Sequence, residues 1–207
     1  MVTNVNSADK WETDYLRGTD GWDLGAPTPV FRNLLATRDL PPGKMLVVCA
    51  GRGHDAREFA RHGYQVTAVD FSPFAAQEMS RLADPGVPME IWQRDLFTLP
   101  RELDGTFDYV LEYTCYCAID PKRRTEFVDL VARLLKPRGF YISLAFPLTR
   151  QQGGPPFAVT ISELLDLFQE RGFQLIEREQ PSASVPQRRG AEELLMFQKK
   201  APKASQK

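Results

Sequence analysis

The sequence predicts an α/β fold, a three-layer sandwich with a seven-stranded, mostly parallel sheet whose last strand is antiparallel. Three observations support this prediction. Short apolar runs alternate with amphipathic segments of helical spacing, which is typical of strands joined by crossover helices. Two glycines follow the first apolar run at once. The last two strand-like segments have no helix between them, so we expect them to pair antiparallel.

The individual elements follow from their composition and their ends. Residues 45–49 are wholly apolar, as in a strand that is buried on both faces of a sheet. Ser72 suits an N-cap with Pro73 at the first helical position, and Ser162 is expected to cap the last helix. We expect strands at residues 45–49, 65–69, 89–93, 107–111, 140–145, 173–179 and 193–198. We expect helices at residues 9–17, 55–62, 73–83, 123–135 and 162–171, with a short helical turn at 31–35.

Length and composition indicate one globular domain of ordinary size, with no charge excess that would attract nucleic acid. The 207 residues carry 26 basic and 27 acidic side chains, for a net charge of -1, so no bulk field recruits nucleic acid. No apolar run reaches the roughly 18 residues that span a bilayer. The polar residues 1–10 lack a signal core. We therefore expect a cytoplasmic monomer with a single domain over 1–207, an N-terminal segment over 1–30 and a disordered tail over 200–207.

The three cysteines are too few, and odd in number, for a disulfide framework. Cys115 and Cys117 form a C-x-C pair, which could suggest a metal ligand set. The chain has only two histidines and no second cysteine pair, so we expect no metal site. The pair is expected to line a pocket or to pack in the core, together with the Tyr116 between them.

A cofactor site is predicted where the first two strands end. Gly51 and Gly53 allow a sharp turn and a close approach of the backbone to a ligand, and a helix N-terminus follows them. Asp70 closes the second strand, 17 residues after Gly53, where it can accept both hydroxyls of a ribose. The same loop, read as far as Ala56, also fits the loose G-x-G-x-x-G/A dinucleotide pattern. The loop therefore predicts a cofactor that contains adenosine, and NAD remains one of the candidates at this point.

Two later features favour a mononucleotide-sized cofactor over NAD. Asp95 ends the third strand, where its carboxylate can bind the amino group of adenine; the alternative is a cap for the following turn. The closing antiparallel strand pair leaves no room for the further βα units that would hold a second nucleotide. A dehydrogenase thus becomes the weaker interpretation.

These residues, with residues 134–139 before the fifth strand, resemble the class I methyltransferases, which have a Rossmann-like fold and use S-adenosylmethionine. Within that class the chain is similar to the thiopurine S-methyltransferase superfamily, and most of all to its plant halide, thiol and thiocyanate methyltransferases and their bacterial relatives. The resemblance covers residues 9 to 199. It is carried by four stretches in order: residues 11–29, 51–55, 112–121 and 153–157.

The resemblance has two departures. The family's loop often begins with a glycine where this chain has Cys49. We expect Cys49 to be the extended last residue of its strand, because a cysteine with positive φ would be strained. Tyr15 stands where the plant members tend to carry a tryptophan, and its phenol makes that wall more polar.

The resemblance implies S-adenosylmethionine as cofactor and S-adenosylhomocysteine as product. Aromatic rings attract a sulfonium, so Trp11, Tyr15 and Trp22 are candidates for a lid over it; alternatively they pin the N-terminal segment to the core. Glu112 and Tyr113 are the candidates for any catalytic role, and Glu112 could bind the cofactor's amino group or take a proton from the acceptor. The full set of expected cofactor residues is Trp11, Tyr15, Trp22, Gly51, Gly53, Asp70, Phe71, Asp95, Leu96, Glu112 and Tyr113. The expected acceptor pocket is Trp22, Tyr116, Pro155 and Phe157.

The predicted reaction is in-line methyl transfer to a small soft nucleophile: a thiol, sulfide, thiocyanate or halide. Such acceptors need no strong base. Arg150, Arg188 and Arg189 lie on neighbouring loops, where one could attract an anionic acceptor or all could be exposed. The alternatives are N- or O-methylation of a small heteroaromatic or phenolic metabolite, and a cofactor-binding protein without catalysis, for which Cys49 is the only support.

Overall fold

The computed structural model describes residues 4–149 and 152–201. Seven strands form one sheet in the order β3-β2-β1-β4-β5-β7-β6. Neighbours from β3 to β5 pair in parallel, and β7 runs antiparallel to both β5 and β6. The predicted fold class is confirmed. The strands are β1 Lys44–Val48, β2 Gln65–Asp70, β3 Glu90–Gln93, β4 Phe107–Tyr113, β5 Leu135–Ala145, β6 Phe173–Glu179 and β7 Glu193–Lys199.

Helices cover both faces of the sheet because its central strands are apolar on both sides. In β1, Leu46 and Val48 belong to the core cluster that contains residues of α5 and α6, whereas Met45 and Val47 belong to the cluster on the opposite face. This alternation is the pleat of a fully buried strand. The helices are α1 Ala8–Arg17, α2 Pro29–Thr37, α3 His54–Arg61, α4 Pro73–Arg81, α5 Arg124–Leu134 and α6 Ile161–Glu170.

The ends of the helices confirm one predicted cap and overturn another. Ser72 caps α4, since its Oγ accepts a hydrogen bond from the Ala75 amide at 3.2 Å. Ser162 is no cap: α6 starts one residue earlier, after Thr160, so Ser162 lies inside the first turn. The short helical turn expected at residues 31–35 is a nine-residue helix, α2. Its apolar side docks on the core through Phe31 and Leu34, and this packing extends it beyond its local propensity.

Parallel strands end at the same edge of a sheet, so the turns after β1, β2, β3 and β4 meet. Ligands of open α/β sheets bind at this carboxyl edge. Among the described helices, none combines the length and the hydrophobicity needed to cross a membrane. The tail expected at residues 200–207 lies, from residue 202 on, outside the described residues.

Candidate functional site

The loop between β1 and α3 makes its turn through two glycines in the left-handed region. Gly51 has φ 55° and Gly53 has φ 71°. A β-carbon at Gly53 would lie 2.4 Å from Cγ of Met79, so this position has no room for a side chain. The Ala50 amide donates to the carbonyl of Val69 at 3.0 Å, which ties the loop to β2. The loop thus carries backbone N–H groups to the edge where Asp70 ends β2.

Cys49 departs from the expectations in two respects. Its φ is 48°, so it adopts the left-handed conformation and is not the extended end of the strand. Cys49 is also bonded to Cys115, a single disulfide that the cysteine count, which argued only against a disulfide framework, did not indicate. The physical reason lies in the sheet: β1 and β4 are adjacent, and their carboxyl ends bring together two cysteines that are 66 residues apart in sequence.

Asp70 joins the glycine loop to the next helix. Its carboxylate accepts hydrogen bonds from the Gly51 amide at 2.9 Å and the Ser72 amide at 3.0 Å. Burial raises its pKa, although these backbone hydrogen bonds favour the ionised form. The side chain also borders the main cavity of the molecule. A carboxylate held in this way presents its remaining lone pairs toward the cavity.

Asp95 combines the two roles that the sequence left open. Its carboxylate accepts from the Phe97 amide at 2.9 Å and so caps the short 3-10 helix Leu96–Thr98. The residue also lines the main cavity, as do Leu96 and Trp11. The cap therefore orients the carboxylate and leaves it at the cavity wall.

The main cavity has a volume of about 420 Å³ and a smaller one of about 70 Å³ adjoins it, both at the carboxyl edge of the sheet. The first volume lies within the roughly 300–1,000 Å³ of small-molecule sites. Of the expected cofactor residues, the main cavity is lined by Trp11, Tyr15, Trp22, Asp70, Phe71, Asp95 and Leu96. Gly51 and Tyr113 line the smaller cavity, which Tyr15 and Trp22 share, and Gly53 and Glu112 line neither.

The expected aromatic lid forms a cluster of rings over the cavity. Trp22 packs edge-on against Trp11 at 5.4 Å and against Tyr15 at 5.3 Å between ring centroids. Tyr15 also stacks on Phe74 at the start of α4. These contacts pin the N-terminal segment to the start of α4, and Trp11, Tyr15 and Trp22 also line the main cavity. Closure over a cofactor stays a prediction.

Polar contacts anchor this N-terminal segment at both ends, and the sequence analysis missed them. Glu12 accepts hydrogen bonds from the Ser72 hydroxyl at 2.6 Å and from the Phe74 amide at 3.0 Å, at the N-terminus of α4. Arg52, between the two loop glycines, forms ion pairs with Asp20 and Asp23. No local signal could have identified Glu12, because it lies in α1, 60 residues from Ser72, and only the fold brings it to the N-terminus of α4. Nothing local indicated the partners of Arg52.

Arg188, one of three arginines considered for an anionic acceptor, is buried in the wall of the main cavity, with 7% of its surface exposed. Its guanidinium donates to the Tyr113 hydroxyl at 2.6 Å and to the carbonyl of Trp22 at 2.9 Å. Tyr113 in turn donates to the buried carboxylate of Glu192 at 2.6 Å. Arg189 is exposed, and Arg150 lies outside the described residues.

Glu112 is turned away from the cavities and organises the backbone that follows β4. Its carboxylate accepts from the amides of Cys115 at 3.2 Å and Tyr116 at 3.1 Å, and from the Ser143 hydroxyl. It is 1% exposed, and burial raises its pKa. Glu112 lines neither cavity, and the donors that its carboxylate accepts from are Cys115, Tyr116 and Ser143. Its expected contact with the cofactor or the acceptor stays a prediction.

Two of the four expected acceptor-pocket residues also lie elsewhere. Trp22 and Pro155 line the main cavity. The Tyr116 ring instead packs against Phe127 in the core, at 5.8 Å between centroids. Phe157 does not line the main cavity, and its amide donates to the carbonyl of Cys117 at 2.7 Å. Alternation along an irregular loop does not follow the strand period, so the sequence could not assign these orientations.

Cys117 reaches the main cavity in their place. Burial raises the pKa of its thiol to about 12, so the thiol stays protonated at neutral pH. A protonated thiol is a weak nucleophile. Cys117 therefore contributes an apolar surface, as expected of the C-x-C pair.

The site suits an adenosine-containing sulfonium cofactor. Asp70 and Asp95 place two carboxylates along one wall of the cavity, at the spacing of adjacent strand ends. The aromatic rings of Trp11, Tyr15 and Trp22 line the same cavity, where a cation would gain cation–π attraction. The wall beyond the turn after β4 is formed by Phe146, Pro155 and Arg188. The lining thus combines carboxylates, aromatic rings and one buried arginine in a single cavity.

Comparisons with known proteins agree with this geometry. The sequence model of the thiopurine S-methyltransferase family matches residues 6–207. A probable thiol methyltransferase 2 of Arabidopsis thaliana is 34% identical, over 96% of this chain and 88% of its own length. Thiocyanate methyltransferase 1 of Brassica oleracea is 32% identical, over 91% and 84%.

Among solved structures, the Burkholderia thailandensis 1,6-didemethyltoxoflavin-N1-methyltransferase with bound S-adenosylhomocysteine superposes with a TM-score of 0.74. That match covers 94% of this chain and 87% of the other at 23% identity, so it shows the shared fold. The sheet order is that of the class I methyltransferases. The chain is an S-adenosylmethionine-dependent methyltransferase and belongs to the thiopurine S-methyltransferase family.

Proposed function

We propose that this methyltransferase acts on a small soft nucleophile of the class of thiols, sulfide, thiocyanate and halide ions. The observation that carries the proposal is Arg188, a buried cation at the acceptor end of the cavity. Its hydrogen-bond partners are a phenol and backbone carbonyls, and among the described residues it forms no ion pair. A buried cation without a direct counter-ion attracts an anion, because the anion replaces the lost water.

The residues around this end supply position and exclusion of water rather than proton transfer. When bound, S-adenosylmethionine supplies a methyl group on a positively charged sulfur. Asp70 and Asp95 would hold its adenosine, and Trp11, Tyr15 and Trp22 would close over it. Arg188 would hold the acceptor as an anion in a wall shared with Phe146 and Pro155. Alignment and loss of water from the nucleophile are the main needs of such a transfer.

The same geometry disfavours a general base, which supports soft acceptors over hydroxyl groups. Glu112 is engaged by three protein donors. Burial raises the pKa of Tyr113 and of Cys117, so both stay protonated. A thiol with a pKa near 8.5 forms a useful thiolate fraction without help, and thiocyanate and halides are already anions.

An acceptor panel tests the proposal. Protein, labelled S-adenosylmethionine and each candidate acceptor are incubated over a range of pH. We expect methyl transfer to thiols, with a rate that rises as pH approaches the acceptor's own pKa. Transfer to thiocyanate or iodide should be nearly independent of pH. A preference for an azaheterocycle or a phenol would select the N- or O-methyltransferase alternative, and no transfer to any soft acceptor with cofactor binding intact would refute the proposal.

Replacing Arg188 with glutamine should raise KM for thiocyanate about tenfold, the effect of losing one charge-assisted contact. The KM for a neutral thiol at low pH should change less. The matched control is Arg189→Gln, which removes the exposed neighbouring arginine. Arg188 also donates a hydrogen bond to the carbonyl of Trp22, so its loss can disturb the aromatic lid as well as the acceptor site. Calorimetry with S-adenosylhomocysteine distinguishes the two effects, because a disturbed lid would change the Kd of this ligand. Equal KM changes for anionic and neutral acceptors would contradict the role of Arg188.

Three further expectations stay predictions: halide as an acceptor, a monomeric state and a cytoplasmic location. Halide turnover belongs to the acceptor panel. Sedimentation of the purified chain would test the monomer, and fractionation of the source cells would test the location.

A further inference from the structure

We propose that Cys49 and Cys115 form a redox-active site that controls cofactor affinity. In the disulfide form they hold the glycine loop in its cofactor-binding conformation, and reduction to two thiols weakens binding. The inference goes beyond the proposed function: it rests on the use of S-adenosylmethionine and not on the acceptor.

The sheet brings the two cysteines together. Val47 of β1 pairs in parallel with Leu111 of β4, so both strands end at the same edge. Cys49 directly follows β1 and Cys115 lies two residues beyond the end of β4. Their Cα atoms are 5.5 Å apart, within the roughly 4.4–6.8 Å of disulfides. The bond therefore links the glycine loop to the loop that leads to the acceptor wall.

The backbone around the crosslink is held in a conformation that favours glycine. Cys49 has φ 48° and Thr114, the residue before Cys115, has φ 59°. They are two of only three non-glycine residues with positive φ in the described ranges 4–149 and 152–201. The left-handed region is unfavourable for side chains with a β-carbon. A covalent bond can maintain it, and without the bond Cys49 is free to return to negative φ.

Such a change would reach the cofactor site through two hydrogen bonds. The residue after Cys49, Ala50, donates its amide to the carbonyl of Val69. The next, Gly51, donates to the carboxylate of Asp70 at 2.9 Å. A different φ at Cys49 redirects both amides, and Asp70 then loses a donor that orients its carboxylate. Cofactor affinity and the redox state of the pair are therefore coupled.

The cavity also determines how a reductant reaches the bond. Cys49 lines both cavities, whereas Cys115 is fully buried. One thiolate of a small dithiol attacks Sγ of Cys49, and Sγ of Cys115 leaves as a thiolate. The second thiol of the reductant then displaces Cys49. Two electrons and two protons pass to the protein, and the reductant becomes a disulfide. A cofactor in the cavity should block this approach.

The first test compares the full chain purified without reductant with the same protein after treatment with dithiothreitol. Alkylation under denaturing conditions and mass spectrometry should count one thiol before reduction, that of Cys117, and three after it. Calorimetry should show that the Kd for S-adenosylhomocysteine rises about fivefold or more on reduction, as for a typical coupling between two sites. Equal Kd values in the two states, or three thiols before reduction, would overturn the proposal.

Two variants separate the crosslink from the backbone conformation. Cys49→Gly removes the bond but accepts positive φ, so it should bind S-adenosylhomocysteine with one Kd under both conditions, close to that of the oxidised protein. Cys115→Ala keeps a side chain at residue 49 without the bond, so it should bind weakly under both. Cys115→Ala with the affinity of the oxidised protein would refute the coupling.

A kinetic measurement on the unmodified protein avoids any folding defect of the variants. S-adenosylhomocysteine should slow reduction of the disulfide by dithiothreitol, since Cys49 lines the cavity that the ligand would fill. An unchanged reduction rate at saturating ligand would contradict the inference. Failure of every soft acceptor in the panel would count against the proposed function and would leave these binding results in place.

Discussion

Replacement of Asp70 with alanine is expected to weaken binding of S-adenosylhomocysteine by about 1–3 kcal/mol, or about fivefold to 150-fold in Kd. The variant loses the carboxylate that we place at the ribose. It also leaves the amides of Gly51 and Ser72 without their acceptor. Isothermal calorimetry measures the change. Asp70→Asn should weaken binding as well, because an amide keeps only one oxygen to serve donors on both sides.

Asp108→Ala is the matched control for this variant. Asp108 also accepts a backbone hydrogen bond, from the Lys44 amide at 2.9 Å, and pairs with Lys136. It lies near the start of β4, at the opposite edge of the sheet from the site. Its loss should lower stability without a change in Kd. An Asp70→Ala protein that is folded and binds with the original Kd would refute the placement of the ribose.

Replacement of Glu112 with alanine is expected to lower the free energy of unfolding by about 3–5 kcal/mol. The carboxylate serves the amides of Cys115 and Tyr116 and the hydroxyl of Ser143, all in the core. Alanine leaves these three donors unpaired and opens a cavity. Glu112→Gln preserves the shape and should cost less. Chemical denaturation measures both variants, and Glu102→Gln on the surface should change the stability by no more than about 0.5 kcal/mol.

The Glu112 variants also decide between an organising role and a catalytic one. If Glu112 were a general base, Glu112→Gln would keep its stability and its cofactor affinity but would lose turnover. The geometry predicts the reverse: a loss of stability, with turnover per folded molecule reduced only as far as the Cys115 loop is displaced. Turnover with thiocyanate is the informative assay, because that acceptor has no proton to remove.

The fold could be predicted because its signals are local and repeated. The apolar run ending at Val48 and the cap at Ser72 each mark an element without reference to the rest of the chain. Where local signals were ambiguous, packing decided: α2 is longer than expected because Phe31 and Leu34 dock on the core. At α6 the helix begins one residue before the serine that sequence alone favoured as its cap.

The candidate site was predictable only in its cofactor half. Asp70 ends β2 and Asp95 lies two residues beyond the end of β3, and strand ends of a parallel sheet converge, so their positions followed from the chain order. The acceptor half is built from irregular loops. Arg188 looked no different from Arg189 in sequence, yet one is buried in the cavity wall and the other is exposed. The residue type and position of Glu112 suggested a role in the reaction, whereas its carboxylate accepts hydrogen bonds from Cys115, Tyr116 and Ser143 in the core.

By itself the sequence determined the α/β architecture, the family and the cofactor, because each depends on patterns that survive without coordinates: periodicity, spacing and motif order. Only the tertiary structure decided which residues line the cavities and which cysteines form the disulfide. Those outcomes depend on contacts between residues far apart in the chain, as in the pairing of Cys49 with Cys115 across adjacent strand ends. No local rule encodes such contacts, since the free energy that favours them comes from packing the whole sheet edge.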